Sequence, residues 1–306
     1  MRHVPYVGNG PYCYANSFAM VLGARAPSTA VIEVTTGGPF GMQLIGGETV
    51  FFDAYGWTPD LGFDRALRAI GWRSRNSGGG SAPEALDRLR TAAADGPVWV
   101  GPLEMGLLRH QPEMTGPIGA DHFVVALDVN DERVLIHDPQ GFPYAEVPVA
   151  DFLTAWRADT LTYGSPYKMR TDFERIAEVS DADAVRSVIP AARDHLAQVT
   201  DEKMPPGSLG NADAAYRVAE MVEAGAENGL REQLVYFAVK VGARRLDDTA
   251  TCLDLAGYAG AAAIAAEQAR LVGSLQHPLV TRDFPKAAAA LRELAPTYER
   301  LRAALS

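Results

Sequence analysis

The side chains in this 306-residue chain that are best suited to chemistry are a thiol, an imidazole and a carboxylate, at Cys13, His122 and Asp138. A thiol becomes a nucleophile when an imidazole takes its proton and an acceptor orients the imidazole. Cysteine, then histidine, then aspartate, with the last two on neighbouring strands, is one known order for such a triad. The sequence therefore predicts cysteine-based nucleophilic catalysis if its helices and strands bring these residues together.

The segment around Cys13 predicts a helix that begins at the cysteine. Glycine and proline precede Cys13, and Gly23 follows the segment as a helix-ending residue. Between them, apolar residues recur at the spacing of one helix face: Ala15, Phe18, Ala19 and Leu22. The N-terminus of a helix favours a thiolate. The alternative is that Cys13 is a small buried apolar side chain, which is the more common role of a single cysteine.

A β-hairpin is predicted from His122 to Asp138. Two β-rich segments, 122–129 and 133–138, flank a turn at Asn130–Glu132. If the loop holds three residues, Val124 opposes Asp138, and His122 then shares a face with Asp138, one pair away. A two-residue turn would place the imidazole and the carboxylate on opposite faces. Both registers are compatible with the sequence.

Several sequence blocks resemble the C39-like branch of the papain-like cysteine proteins, and more closely the N-terminal domain of the butirosin biosynthesis protein H family. The blocks are Cys13–Leu22 (CYANSFAMVL), Asp121–Ala126 (DHFVVA), Ile136–Pro139 (IHDP), Pro97–Leu103 before the histidine and Asp138–Pro143 after the second strand. The resemblance implies an α+β, papain-like fold in which an N-terminal helix packs on an antiparallel sheet. It also implies that Cys13 is the nucleophile, His122 the general base and acid, and Asp138 the group that orients the imidazole.

The resemblance further implies acyl transfer without a cofactor. An acyl group would leave an acyl carrier protein thioester for Cys13 and pass to a small-molecule amine. The papain-like pattern has an oxyanion-stabilising glutamine six residues before the cysteine, where this chain has Val7. Asn9 is the nearest amide that could donate to an oxyanion together with the backbone N–H of Cys13. Asn9 could equally be a turn residue within Gly-Asn-Gly.

Composition and residue spacing argue against several other functions. The net charge of -10 and pI near 5.1 argue against a nucleic-acid partner. His110, Asp121 and His122 lack a recognisable metal-ligand spacing, so no metal is predicted. Cys252 lies in a helical pattern and is expected in the core. No signal peptide or segment of membrane-spanning length is evident, so a cytoplasmic protein without membrane contact is expected.

The chain is expected to form two domains, a catalytic α+β domain over 1–168 and an all-helical domain over 169–306. Helical patterns run through 212–226, 230–245, 249–275 and 284–305. The helical domain would cover one side of the substrate cleft. Four apolar residues are expected to line that cleft: Tyr12, Phe40, Met42 and Trp57.

The main hypothesis is a cysteine-dependent acyltransferase of natural-product biosynthesis. A hydrolase (a peptidase, amidase or thioesterase) would use the same triad with water as acceptor, and the sequence does not separate the two. A third hypothesis is a catalytically degenerate papain-like fold that serves as a binding module. Val7 at the oxyanion position favours this third hypothesis.

Overall fold

The protein is a mixed α/β molecule with antiparallel sheets, and the part of the chain that the structure describes contains twelve α-helices. The computed structural model describes residues 12–198, 203–227 and 229–306. Within these ranges the strands are β1 Gln43–Ile45, β2 Thr49–Phe51, β3 Trp72–Ser77, β4 Val98–Glu104, β5 Asp121–Val129, β6 Arg133–Asp138, β7 Phe142–Pro148, β8 Met169–Arg175 and β9 Leu209–Gly210. The α-helices are α1 Cys13–Leu22, α2 Thr29–Thr35, α3 Pro59–Ala69, α4 Ala82–Asp95, α5 Val149–Arg157, α6 Asp181–Ala197, α7 Asn211–Glu223, α8 Leu230–Gln233, α9 Val239–Leu255, α10 Ala259–Ser274, α11 Gln276–Thr281 and α12 Phe284–Ala304.

The chain divides into two compact units, neither of which is continuous in sequence. The sheet unit comprises Tyr12–Thr29 and Gly71–Ala177. The helical unit includes Ala30–Ile70 and Glu178–Ser306. Within the described residues, no helix is long and apolar enough to cross a membrane.

A six-stranded antiparallel sheet in the order β3-β8-β4-β5-β6-β7 forms the sheet unit. Successive side chains of a strand point to opposite faces, so the two faces carry different clusters. On one face, Phe18 of α1 stacks on Trp99 at 4.7 Å between ring centroids, and Trp99 stacks on Phe123 at 4.8 Å. Alternate strand residues, including Val124 and Ile136, pack with buried residues of α4 and α5. Every residue of β4 is buried, which explains why the strand is apolar from Val98 to Leu103.

The helical unit combines a small sheet with packed helices. The sheet has the order β2-β1-β9, so a strand from residues 43–45 pairs with one from residues 209–210. The most extensive helix contacts are between α9 and α10 and between α7 and α12. Many of their buried residues are alanines, such as Ala265 and Ala288, which allow close approach of helix backbones.

This division differs from the predicted boundary at residue 168. The strand β8, at residues 169–175, lies inside the six-stranded sheet between β3 and β4, and the sheet unit ends at Ala177. Segment 30–70 was assigned to the catalytic domain, but it folds with the helical unit because its strand β1 pairs with β9. The predicted helix over 249–275 is also interrupted, since α9 ends at Leu255 and Gly257 has φ +90°.

Candidate active site

The β5–β6 hairpin brings His122 and Asp138 into contact. His122 Nε2 lies 2.8 Å from Asp138 Oδ1, and both side chains are fully buried. Val125 pairs with His137, which is the register that a three-residue loop predicts for this end of the hairpin. Towards the turn the register shifts by one residue, and Val129 pairs with Val134. The shift accommodates one more residue in the turn, and His122 and Asp138 stay on the same face of the hairpin.

The carboxylate of Asp138 accepts four hydrogen bonds, which use all of its acceptor sites. Oδ1 accepts from His122 Nε2 and, at 2.8 Å, from the backbone N–H of Gln140. Oδ2 accepts from His110 Nε2 at 2.8 Å and from Gln111 Nε2 at 2.7 Å. A buried carboxylate surrounded only by donors is stabilised in its ionised form.

Opposing influences act on the protonation of Asp138. Burial raises the pKa of the carboxyl group, but hydrogen bonds from His110 and His122, the attraction of His122 and the backbone N–H of Gln140 together hold it well below its usual range. Asp138 therefore carries its negative charge throughout the neutral range. A permanently charged acceptor is what an imidazole needs when it takes up a proton.

The full acceptor set of Asp138 also determines which ring nitrogen of each histidine carries hydrogen. An ionised carboxylate has no hydrogen to donate, so His110 and His122 must each donate from Nε2. In the neutral ring the lone pair is then on Nδ1. Both Nδ1 atoms are buried, and neither has a hydrogen-bond partner among the described residues. His122 Nδ1 is thus in the correct state to accept a proton.

His110 and Gln111 were not predicted to belong to the site. They lie in the loop between β4 and β5, which contains glycine and proline and has no periodic pattern. His110 was considered only as a metal ligand, and within the described ranges no group of three histidine, cysteine or acidic side chains is arranged to hold a metal ion. A loop residue that meets a strand 28 positions away leaves no signal in sequence spacing.

Cys13 is the first residue of α1 and is half-buried. The first two turns of α1 pack against Phe123, the residue after His122. The Tyr14 ring meets the Phe123 ring edge-on at 6.0 Å, and Ser17 Oγ donates to the Phe123 carbonyl at 3.2 Å. The cysteine therefore lies at the start of the helix that packs beside the His122 end of β5. The described residues show no hydrogen bond between Cys13 and His122 Nδ1.

The remaining predicted site residues are Asn9 and the four apolar residues of the expected cleft. Asn9, the candidate oxyanion donor, lies outside the described residues. Tyr12 precedes α1 and is buried in the sheet unit. Phe40, Met42 and Trp57 belong to the helical unit, where they are 0%, 0% and 5% exposed. These three side chains are core residues of that unit, because burial leaves them no open surface with which to line a cleft.

Two further titratable residues lie outside this cluster, and Cys252 is in the core as the sequence predicts. Cys252 is buried in α9, where burial and the charges of Asp248 and Asp181 raise its pKa to about 12. His137 points away from the Asp138 face, and its Nδ1 accepts from the backbone N–H of Tyr144 at 3.1 Å. Cys252 therefore remains a thiol at neutral pH, and His137 has a packing role.

Comparison with known proteins gives two matches. Residues 205–306 match the family model of the YobF C-terminal domain, and all of that range lies in the helical unit. Over 301 residues the chain is 24% identical to "Uncharacterized protein YobF" of Bacillus subtilis (strain 168), a match that covers 97% of this chain and 96% of that protein. Over nearly its whole length, the chain is therefore similar to a protein whose name assigns no activity.

Proposed function

We propose that the sheet unit is a papain-like catalytic unit and that the protein is a cysteine-dependent acyltransferase. The observation that carries this proposal is the buried His122–Asp138 pair, with an ionised carboxylate and a free acceptor nitrogen, beside a helix that begins at Cys13. A thiol at a helix N-terminus, a proton acceptor and a fixed carboxylate are the parts that thiol-based acyl transfer needs.

In the proposed reaction, His122 Nδ1 takes the proton from the Cys13 thiol. The thiolate attacks the carbonyl carbon of an acyl carrier thioester, the bond from that carbon to the carrier sulfur breaks, and the carrier thiol takes the proton back from His122. An amine then attacks the acyl-Cys13 carbonyl and gives up a proton to His122. The bond to Cys13 breaks, the amide leaves, and His122 returns the proton to the Cys13 sulfur.

The geometry of β5 defines how the thiol must approach. His122 and Phe123 are adjacent on the strand and point to opposite faces, while α1 packs on the Phe123 side. The thiol must therefore meet His122 Nδ1 around the end of β5. His122 is the second residue of the strand, so only Asp121 separates it from that end.

Covalent trapping tests the proposal directly. We expect an acyl thioester, presented on a carrier protein or as a small molecule, to add one acyl group to the intact protein at Cys13, as located by peptide mass spectrometry. Cys13→Ala should abolish the adduct. Cys252→Ala is the matched control and should keep it, because burial keeps Cys252 in its unreactive thiol form.

The product of the second step separates transfer from hydrolysis. We expect added amines to convert the Cys13-bound acyl group into amide, in a proportion that rises with amine concentration. If the acid is the only product with varied amines at saturation, the protein is a hydrolase. If no thioester, ester or peptide acylates Cys13, the missing Cys13–His122 hydrogen bond favours a binding module.

A further inference from the structure

The loop that carries His110 and Gln111 is closed at its base by one carboxylate. Glu104 Oε1 accepts from the backbone N–H groups of Gly106 and Ile118 at 3.1 and 3.0 Å, and Oε2 accepts from that of Gly119 at 3.0 Å. Glu104 is 1% exposed. A single buried side chain thus ties the beginning of the loop to its end, and we call residues 105–120 the pinned loop.

At its far side the pinned loop contacts Asp138 through two consecutive residues. His110 and Gln111 both donate to Oδ2, while Oδ1 is left to His122 and the backbone of Gln140. The His110 side chain is 10% exposed, and its ring meets Phe142 edge-on at 5.5 Å. The two donors on Oδ2 hold the rotation of the carboxylate so that Oδ1 faces His122.

We propose that His110 and Gln111 are positioning residues that clamp Asp138 and act through it on His122. Their part in acyl transfer rests on the proposed function, whereas the clamp itself is a property of the resting protein. The two donors from the loop fix one oxygen of the Asp138 carboxylate, so the carboxylate cannot rotate its other oxygen away from the His122 imidazole.

Loss of the clamp has a pH-dependent consequence. The titratable groups placed against Asp138 are His110 and His122, from the pinned loop and β5. Burial favours the neutral carboxylic acid, and the hydrogen bond from His110 is the first of the influences that oppose it. Without His110, the pKa of Asp138 rises and the carboxylate is neutralised at a higher pH than in the wild type.

The first test needs no variant. Two-bond ¹⁵N–¹H correlation spectra of the whole protein report which nitrogen of each imidazole carries hydrogen. We expect His110 and His122 both to carry it on Nε2 near pH 8, with His137 as an internal comparison outside the cluster. A neutral His110 that carries its hydrogen on Nδ1 would overturn the clamp, because it could not donate to Asp138.

The second test compares the loss of the donor with its replacement. His110→Leu removes the donor, and His110→Gln keeps an N–H near the position of Nε2. We expect the Cys13 alkylation rate near pH 7 to be about tenfold lower in His110→Leu than in the wild type, which is the scale of losing a hydrogen bond to an ionised group. His110→Gln should restore most of the loss.

The matched control is His137→Asn, which keeps an acceptor for the Tyr144 N–H on the opposite face of β6. Its alkylation rate should equal that of the wild type. A wild-type rate in His110→Leu, or a loss that His110→Gln does not restore, would overturn the clamp. If Cys13 proves unreactive, the proposed function fails, but the His122 Nε2 signal still decides the clamp: it should shift in His110→Leu and return towards its wild-type position in His110→Gln, and an unchanged signal in His110→Leu would overturn the clamp.

Discussion

Replacing Asp138 by asparagine removes one charge while keeping the shape of the side chain, so this variant isolates the contribution of the charge. Four N–H donors face the carboxylate. An amide offers one oxygen with two acceptor sites and one NH₂ group with two donors. Two of the four neighbouring groups must therefore change from donor to acceptor if the buried cluster is to remain fully hydrogen-bonded.

Only one orientation of the new amide meets that requirement. With its oxygen towards His122 and the backbone N–H of Gln140, the NH₂ group faces His110 and Gln111. His110 can move its ring hydrogen to Nδ1, and Gln111 can rotate its amide to present oxygen. The reverse orientation would face the Gln140 backbone N–H, which cannot accept. We therefore expect Asp138→Asn to keep its fold, with a free energy of unfolding within about 1 kcal/mol of the wild type.

The rate of the thiol reaction should fall sharply in this variant. When Cys13 gives up its proton, protonated His122 would face a neutral amide instead of a carboxylate. For charges about 4 Å apart at an effective dielectric constant of about 20, the lost attraction is about 4 kcal/mol. That corresponds to a roughly thousandfold fall in the rate of Cys13 alkylation near pH 7.

The assay is iodoacetamide alkylation of the whole protein, quantified at the Cys13 peptide, with unfolding by urea measured in parallel. Asp121→Asn is the matched control, because Asp121 adjoins His122 in sequence but accepts from the Tyr163 hydroxyl at 2.5 Å. An alkylation rate in Asp138→Asn within threefold of the wild type would refute the role of the charge. If Asp138→Asn unfolds while Asp121→Asn stays folded, the reasoning about the rearranged hydrogen bonds is refuted.

Two further predictions concern stability and the pinned loop. Burial raises the pKa of Asp53 from 3.8 to about 6, against the opposing effects of Arg245 and Gln43. The neutral carboxylic acid therefore stabilises the fold below about pH 4, and this stabilisation is lost as the pH rises through 6. Asp53→Asn should therefore remove a fall of about 3 kcal/mol in the free energy of unfolding between pH 4 and 7, measured with urea, and an unchanged pH dependence would contradict this. A Cβ at Gly106 would lie 2.1 Å from the carbonyl oxygen of Gly116, so Gly106→Ala should displace the pinned loop and slow Cys13 alkylation about tenfold or more. Gly116→Ala, which meets nothing within 4 Å, should react like the wild type, and equal rates in the two variants would show that the loop does not support the site.

Local sequence patterns predicted the elements that carry the candidate triad. The apolar spacing after Cys13 gave a helix that ends before Gly23, as α1 does. The β5–β6 hairpin was recognisable from two β-rich segments around a polar turn, but its register was not, because two loop lengths fitted the sequence and the strands contain an irregularity. These features depend on residues close together in the chain, which is why periodicity and turn chemistry reveal them.

Contacts between distant segments could not be predicted in this way. The strand β8, with sequence MRTDFER, has too many charged residues to be distinguished from the helical region that follows, and only its place between β3 and β4 makes it a strand. Segment 30–70 joins the helical unit through backbone pairing of β1 with β9. Backbone hydrogen bonds do not depend on the side-chain pattern, so the sequence does not show which strands pair.

The sequence by itself determined that a thiol would begin a helix and that an imidazole and a carboxylate would lie on the two strands of one hairpin. The register that places them on the same face came from the structure. Only the tertiary structure decided that His110 and Gln111 complete the acceptor set of Asp138. The physical reason is that the carboxylate has four acceptor sites, and burial requires all of them to be filled by whichever donors the fold brings near. Here those donors come from a loop that Glu104 closes at its base. The spacing of residues along the chain does not predict that this loop contacts Asp138.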